Sequence, residues 1–215
     1  LVLELLQRAP GLKIIATSRQ RLNLRGEHLY SLPGLAFSPQ ATLADASTWA
    51  AVRLFVQSAR RVHPPFRVSA ANLPALLRIC TLVEGMPLAL EMAAAWTDQL
   101  SPAEIACAIE KSVDFLTFEQ HDVPMRQRSM RAVFNWSWYL LSATEQRALR
   151  QLAIFSGGFT REAAERVTEV KSPALLQVLT SLVHKSLVQI TQSTPETTEV
   201  SQRRYELHEL MQQFA

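Results

Sequence analysis

Three short stretches of this chain hold groups that could grip a small ligand. The first is Gly85-Met86-Pro87, which joins two apolar helical patterns. Glycine takes the left-handed conformation that closes a helix without a Cβ clash, and proline suits the first turn of the next helix. The resulting corner presents a bare proline ring and backbone carbonyls, which can pack against a flat aromatic ring such as a purine. The same corner serves equally as a plain connector. The second stretch is Thr17-Ser18-Arg19, after the β-branched apolar run Lys13-Ile14-Ile15-Ala16-Thr17. Ligands of open α/β sheets bind beyond the carboxyl ends of strands, and an arginine there can fork onto a phosphate. A surface arginine on a loop fits this residue as well. The third is His208 in Leu207-His208-Glu209. A neutral imidazole donates one hydrogen bond and a protonated one adds charge, and either suits a diphosphate. A structural or solvated histidine is the ordinary role.

The elements that must position these groups follow from periodicity and punctuation. Leu1 to Arg8 reads as the end of an amphipathic helix, broken by Pro10-Gly11. Residues 13–17 read as a buried strand. Arg21 and Arg25 are neighbouring candidates of equal standing. Val52, Phe55, Val56 and Ala59 recur on one helical face, with Ser47 or Asp45 as cap and Pro64-Pro65 as stop. The helices flanking Gly85 follow. Ser101-Pro102-Ala103-Glu104 is then a capping box that opens a helix to about Lys111. Together these form a four-helix unit over residues 47–116.

Phe118 to Pro124 reads as a linker. Phe134, Trp136, Trp138 and Tyr139 lie on a Trp-rich helix and read mostly as core. Ser142-Ala143-Thr144-Glu145 is a second capping box. Thr160 caps the next helix and Ser172-Pro173 the one after, whose apolar face is Leu175, Leu176, Leu179, Leu182 and Val183. Leu187 to Ile190 and Tyr205 to Leu207 read as two strands. Three helices and a hairpin make a winged-helix arrangement over 125–215. In such a unit the last helix would read DNA, yet its other positions are Gln177, Thr180 and Ser181, with only His184 and Lys185 at the end to meet bases and phosphates.

Composition is ordinary for a chain able to bury a core, with 48% hydrophobic and 19% charged residues. The net charge is +3 and falls on residues 1–141, which carry 14 Lys and Arg against 11 Asp and Glu; residues 142–215 balance at 8 and 8. The C-terminal unit therefore lacks an electrostatic footprint for nucleic acid. Two well-separated cysteines, Cys80 and Cys107, fit a reducing compartment rather than a disulfide framework. No apolar run reaches the roughly 18 to 20 residues of a membrane span. No signal-peptide pattern opens the chain, so a cytoplasmic location and no membrane partner are expected. Because the chain opens on Leu1 inside a helical pattern, it is expected to be a fragment of a larger protein.

Gly-Met-Pro-Leu-Ala-Leu over residues 85–90 resembles the GLPLAL motif of the STAND nucleotide-switch ATPases, the NB-ARC-type proteins that include bacterial regulators of the AfsR and LuxR kinds. Ile14-Ile15-Ala16-Thr17-Ser18-Arg19 resembles their sensor strand, Arg25 to Leu35 resembles the last strand of their nucleotide domain and its exit, and Leu207-His208-Glu209 resembles their MHD motif, with leucine for methionine and glutamate for aspartate. The resemblance covers the whole chain and implies a mostly α fold with a little β. It divides the chain into the tail of an α/β nucleotide-binding domain over 1–35, a helical domain over 47–116 and a winged-helix domain over 125–215. It further implies that Pro87 lies against adenine and His208 against the β-phosphate of ADP, while Arg19 senses the γ-phosphate. Thr17, Ser18, Gly85 and Met86 are secondary contacts in the same picture.

ADP or ATP would be the ligand, exchange would open the domains about a hinge in Leu116 to Arg128, and the activated form would homo-oligomerise. The further partner implied is an upstream P-loop domain of the same protein; DNA would be met only through an effector domain elsewhere. The six glycines allow no Gly-x-x-x-x-Gly-Lys-Ser/Thr loop, and the acidic magnesium-site residues are missing too. The chain by itself is thus expected to be catalytically inactive, with no catalytic or metal-binding residues; ATPase activity and Mg belong, by resemblance, to the parent. Two other functions fit the residues: a winged-helix DNA-binding transcription regulator, and a helical interaction scaffold without nucleotide.

Overall fold

A computed structural model describes residues 2–9, 11–18, 21–30, 32–118, 124, 128–192 and 203–215. After the short N-terminal helix α1 (Val2–Arg8) come four helices: α2 (Ala50–Val62), α3 (Leu73–Leu82), α4 (Pro87–Ala94) and α5 (Pro102–Lys111). Helix α2 packs on α4, and α3 on α5. Phe55, Leu76, Ile79, Leu90, Ile105 and Ile109 are fully buried between them. The apolar spacing thus aims one stripe of each helix at a shared core. The capping box of α5 forms as expected: Ser101 accepts from the Glu104 amide, and Glu104 Oε2 accepts from the Ser101 amide at 2.8 Å. Neither Asp45 nor Ser47 caps α2. A 3-10 turn over Ala46–Thr48 comes first, Trp49 takes the cap position, and Asp45 instead accepts from Thr42 and Thr48.

The expected N-terminal helix is present as α1, but the two expected strands after it are not observed. Residues 13–17 lie outside any strand and are exposed, Ile15 by 97%. Residues 27–30 and 32–35 form no strand either. A strand exists only when a neighbour accepts and donates its backbone hydrogen bonds, and among the described residues no segment pairs with these. Among the described residues an α/β tail is thus not shown.

The second half holds α6 (Met130–Trp138), α7 (Ala143–Leu152), β1 (Phe159–Thr160), α8 (Arg161–Val167), α9 (Ala174–His184), β2 (Val188–Gln192), β3 (Arg203–Leu207) and α10 (Glu209–Phe214). The strands form one antiparallel sheet in the order β1-β3-β2. Val188 pairs with Leu207, Ile190 with Tyr205, and Phe159 with Tyr205 on the other edge. The expected hairpin thus gains a third strand, two residues long and hidden behind the Gly157-Gly158 turn. Its Phe159 is buried, stacked between Phe155 at 5.0 Å and Tyr205 at 5.8 Å. Helix, strand, two helices and a two-stranded wing in this order make a winged helix.

Three further expectations change. Leu176 is 46% exposed, and Val178 takes its place in the buried face of α9. Ser172 does not cap α9; its amide is held by the Glu165 carboxylate, and Pro173 occupies the cap position. Of the four aromatics on or next to α6, Phe134 is buried and Trp138 packs against the core, whereas Trp136 and Tyr139 are 55% and 79% exposed. Four large rings on one short stretch cover more than one face, so they cannot all point inward.

Residues 119–123 and 125–127 of the expected hinge lie outside the described residues. Its two ends are paired: Thr117 bridges Ser129, and the Phe118 amide donates to the Arg128 carbonyl at 2.7 Å. Arg131 on α6 also forms an ion pair with Asp114. Helical unit and winged helix therefore leave and enter this segment side by side, and their buried residues form one continuous core.

Candidate site at the joint between the helical unit and the winged helix

The turn between α3 and α4 has an unusual backbone. Glu84 has φ 47° and Gly85 φ 66°, so two successive residues are left-handed. Glycine adopts this freely, but a glutamate does not. The turn is held by its surroundings. The Gly85 carbonyl accepts from the Leu35 amide at 2.8 Å. A Cβ on Gly34 would lie 1.9 Å from the Glu84 carbonyl oxygen, and one on Gly85 would lie 2.2 Å from the Leu35 carbonyl oxygen. Pro87 then opens α4 with its ring exposed, as its residue type predicts, and Met86 beside it is half-buried.

His208 ends β3 and caps α10. Its Nδ1 accepts from the Leu210 amide at 3.1 Å, which leaves the ring proton on Nε2. Nε2 is buried, 3.7 Å from Glu84 Oε2, and forms no hydrogen bond of good geometry among the described residues. Glu84 Oε1 accepts from the Glu209 amide at 3.0 Å. Burial lowers the His208 pKa to about 4, only partly opposed by the neighbouring Val83 carbonyl, so the ring is neutral at pH 7. Burial also raises Glu84, against the Glu209 amide and with help from Glu206. Glu209 is raised by burial, then by Glu84 and Glu110. The joint is thus a weakly acidic place around one neutral imidazole.

The structure therefore brings the Pro87 turn and His208 together, 121 positions apart in sequence. It does so through Glu84, which the motif reading passed over. Thr17 and Ser18 sit exposed in the N-terminal segment, and Arg19 lies outside the described residues. Among the described residues no group of three or more His, Cys, Asp or Glu side chains could hold a metal. Cys80 and Cys107 are both free thiols; burial pushes Cys80 up to about 12 and leaves it unreactive.

A second constellation sits inside the winged helix. Glu145, the capping-box residue of α7, is buried and accepts from Lys185 Nζ at 2.8 and 2.9 Å. It also accepts from the Ser181 hydroxyl and, at 2.6 Å, from the Ser142 amide. Desolvation is the largest influence on this carboxyl and pushes upward, but the hydrogen bonds from Lys185, Ser181 and Ser142 together bring it to about 2. Lys185 donates to the Leu140 carbonyl as well, at 3.1 Å. The cation that ends α9 is thereby committed to the core. The exposed positions of α9 are Ala174, Leu176, Gln177 and Thr180. On the wing, Arg204 is turned back onto the Gly157 and Gly158 carbonyls, while Arg203 is exposed. Sequence reasoning assigned Glu145 only its cap; its spacing to Lys185 carried no signal, because the pair closes across 40 positions.

No helix among the described residues is long and apolar enough to cross a membrane. Residues 141–214 match the family described as a winged helix-turn-helix domain. The whole chain is 35% identical over 218 residues to a candidate HTH-type transcriptional regulator of Mycobacterium tuberculosis, of which the match covers 23%. A protein of the same designation in Mycobacterium bovis matches with the same identity and coverage. An uncharacterized protein of Mycobacterium tuberculosis is 34% identical over 163 residues, which are 76% of this chain and 39% of that one. The chain thus spans about a quarter of the length of the regulators it matches. It carries a winged helix-turn-helix domain at its C-terminal end and is similar along its whole length to one stretch of those mycobacterial proteins.

Proposed function

We propose that the chain acts in transcription regulation, as the winged-helix-bearing segment of a DNA-binding regulator. The winged helix carries this reading, and the names of the similar mycobacterial proteins support it. Within it, α9 is the reading helix. Gln177 and Thr180 are exposed one turn apart and offer an amide and a hydroxyl, groups that hydrogen-bond base edges. Phosphate contact falls to few cations, since Lys185 and Arg204 serve the fold and Arg203 is left on the wing. Affinity is therefore modest and only weakly salt-dependent. Fluorescence anisotropy with duplex DNA at several salt concentrations tests this. One or two phosphate contacts give a slope of about −1 to −2 in log K against log salt. No binding even at low salt would remove DNA contact by this domain.

A second reading is favoured by one observation, the meeting of the Pro87 turn with His208. In this reading the joint takes an adenine nucleotide, with the proline ring against adenine and His208 donating from Nε2 to a phosphate. Arg19 would add a phosphate contact, with Thr17, Ser18, Gly85 and Met86 around it. ADP or ATP then favours one arrangement of the two units by binding it more tightly than the other. This reading rests on the motif resemblance and on the approach of His208 to Glu84 in the turn that leads into Pro87. Calorimetric titration of the 215-residue chain with ADP tests it, with His208→Ala as comparison. Binding that weakens in the variant supports a nucleotide at the joint; equal affinity in both forms places the nucleotide elsewhere.

A further inference from the structure

Two residues, Glu84 and Gly85, touch three separate parts of the chain. Their backbone grips the segment at Gly34-Leu35: the Leu35 amide donates to Gly85, and Gly34 lies so close that a methyl group there would overlap the Glu84 carbonyl. Their side chain grips the winged helix, where Glu84 Oε1 accepts from the first amide of α10. The turn itself belongs to the helical unit, closing α3 and opening α4. Glu84 is left-handed, a conformation that is unfavourable for a residue with a Cβ and persists only where surroundings impose it. A shift at Gly34-Leu35 changes what imposes that conformation, and the Glu84 carboxylate moves with its own backbone.

We propose that the Glu84-Gly85 turn is a coupling device, through which displacement of the segment at Gly34-Leu35 releases the winged helix from the helical unit at α10. The device is a property of the chain's own packing and operates whether DNA or a nucleotide is the ligand. It makes Glu84 a positioning residue for His208, whose ring stands beside the same carboxylate. It also explains how residues that make no contact with α10 could govern it: the turn has backbone on one side and a carboxylate on the other.

Hydrogen exchange on the 215-residue chain tests this, read at residues 209–214 and, as a reference, at the α2 core around Val52 and Phe55. Glu84→Gly is the informative variant, because glycine accepts the left-handed backbone while losing the carboxylate. Exchange at 209–214 is expected to rise about tenfold, the loss of one hydrogen bond to a charged group, with the α2 reference unchanged. Glu84→Gln keeps an acceptor oxygen and should recover much of the protection. Gly34→Ala should raise exchange at 209–214 in the parent chain yet add nothing in the Glu84→Gly background, since the link is already cut. If Gly34→Ala also loosens the α2 reference, Leu35→Pro replaces it, removing the amide that Gly85 accepts from. Unchanged exchange at 209–214 in Glu84→Gly overturns the proposal. So does an increase from Gly34→Ala or Leu35→Pro that persists undiminished in the Glu84→Gly background.

Discussion

Replacing His208 with asparagine is expected to flatten the mild-acid limb of the stability curve. In the native chain the imidazole is buried and titrates at about 4 rather than 6.5. Between those two values the unfolded chain holds a proton that the folded chain refuses. Stability from this residue is therefore fully present above about 6.5 and is lost as pH falls toward 4. At ~1.4 kcal/mol per pH unit the loss reaches about 3 kcal/mol. Asparagine does not titrate and is itself a good N-cap, so its side-chain oxygen can keep the Leu210 amide satisfied. Glu84 and Glu209, both raised, act in the opposite direction, gaining relative stability as pH falls. They are present in both proteins, so the difference between the two curves isolates His208. The assay is urea unfolding followed by tryptophan fluorescence from pH 7.5 to 4. Trp138 is a suitable reporter because it packs edge-on against Phe214 of α10 at 5.9 Å. Parallel curves for the two proteins across that range would refute the buried, neutral imidazole.

Lys185→Ala should destabilise the winged helix by about 3 kcal/mol or more at pH 7, because Glu145 then keeps a buried charge without its cation; urea unfolding measures it. In the parent, the share of stability from Glu145 is present above about 4.5 and is lost as pH falls toward 2, so it meets the His208 window only at its acid edge and is common to both proteins compared. Phe159→Ala, which empties the stack between Phe155 and Tyr205, should cost about 3 kcal/mol or more, read as a lower melting temperature. Gly85→Ala combines a left-handed φ with a Cβ only 2.2 Å from the Leu35 carbonyl oxygen, whereas Gly157→Ala has a left-handed φ and open space. The first should lower stability by about 2–3 kcal/mol and the second by only about 1, a contrast measurable by thermal unfolding. A Gly157 variant as damaging as the Gly85 variant would show that conformation, rather than the contact with Leu35, governs the turn.

Local chemistry was legible wherever a residue acts on its near neighbours. Ser101 with Glu104 and Ser142 with Glu145 are capping boxes in the structure as in the sequence, because both partners lie within one helical turn. Pro87 opens α4 because its ring fixes φ, and Gly85 accepts a left-handed φ just past α3, although the first left-handed residue after the helix is Glu84. Helical periodicity placed the core faces of α2 and α3, and the winged helix followed from the order of its elements. Tertiary packing alone decided the rest. Residues 13–17 have the composition of a buried strand, but a strand is made by its neighbours, and none of the described residues supplies one. The two-residue β1 is too short to carry any pattern of its own and exists only because β3 lies beside it. Leu176 and Val178 exchange places on α9, since which apolar side chain is buried depends on what the helix packs against. Lys185 reads as a free cation at a helix end until the fold sets Glu145 beside it. Glu84 reads as an ordinary surface glutamate until the fold puts an amide of α10 and the ring of His208 against its carboxylate. Contacts between residues distant in the chain leave no periodic trace, and the candidate site at the joint is built almost wholly from them.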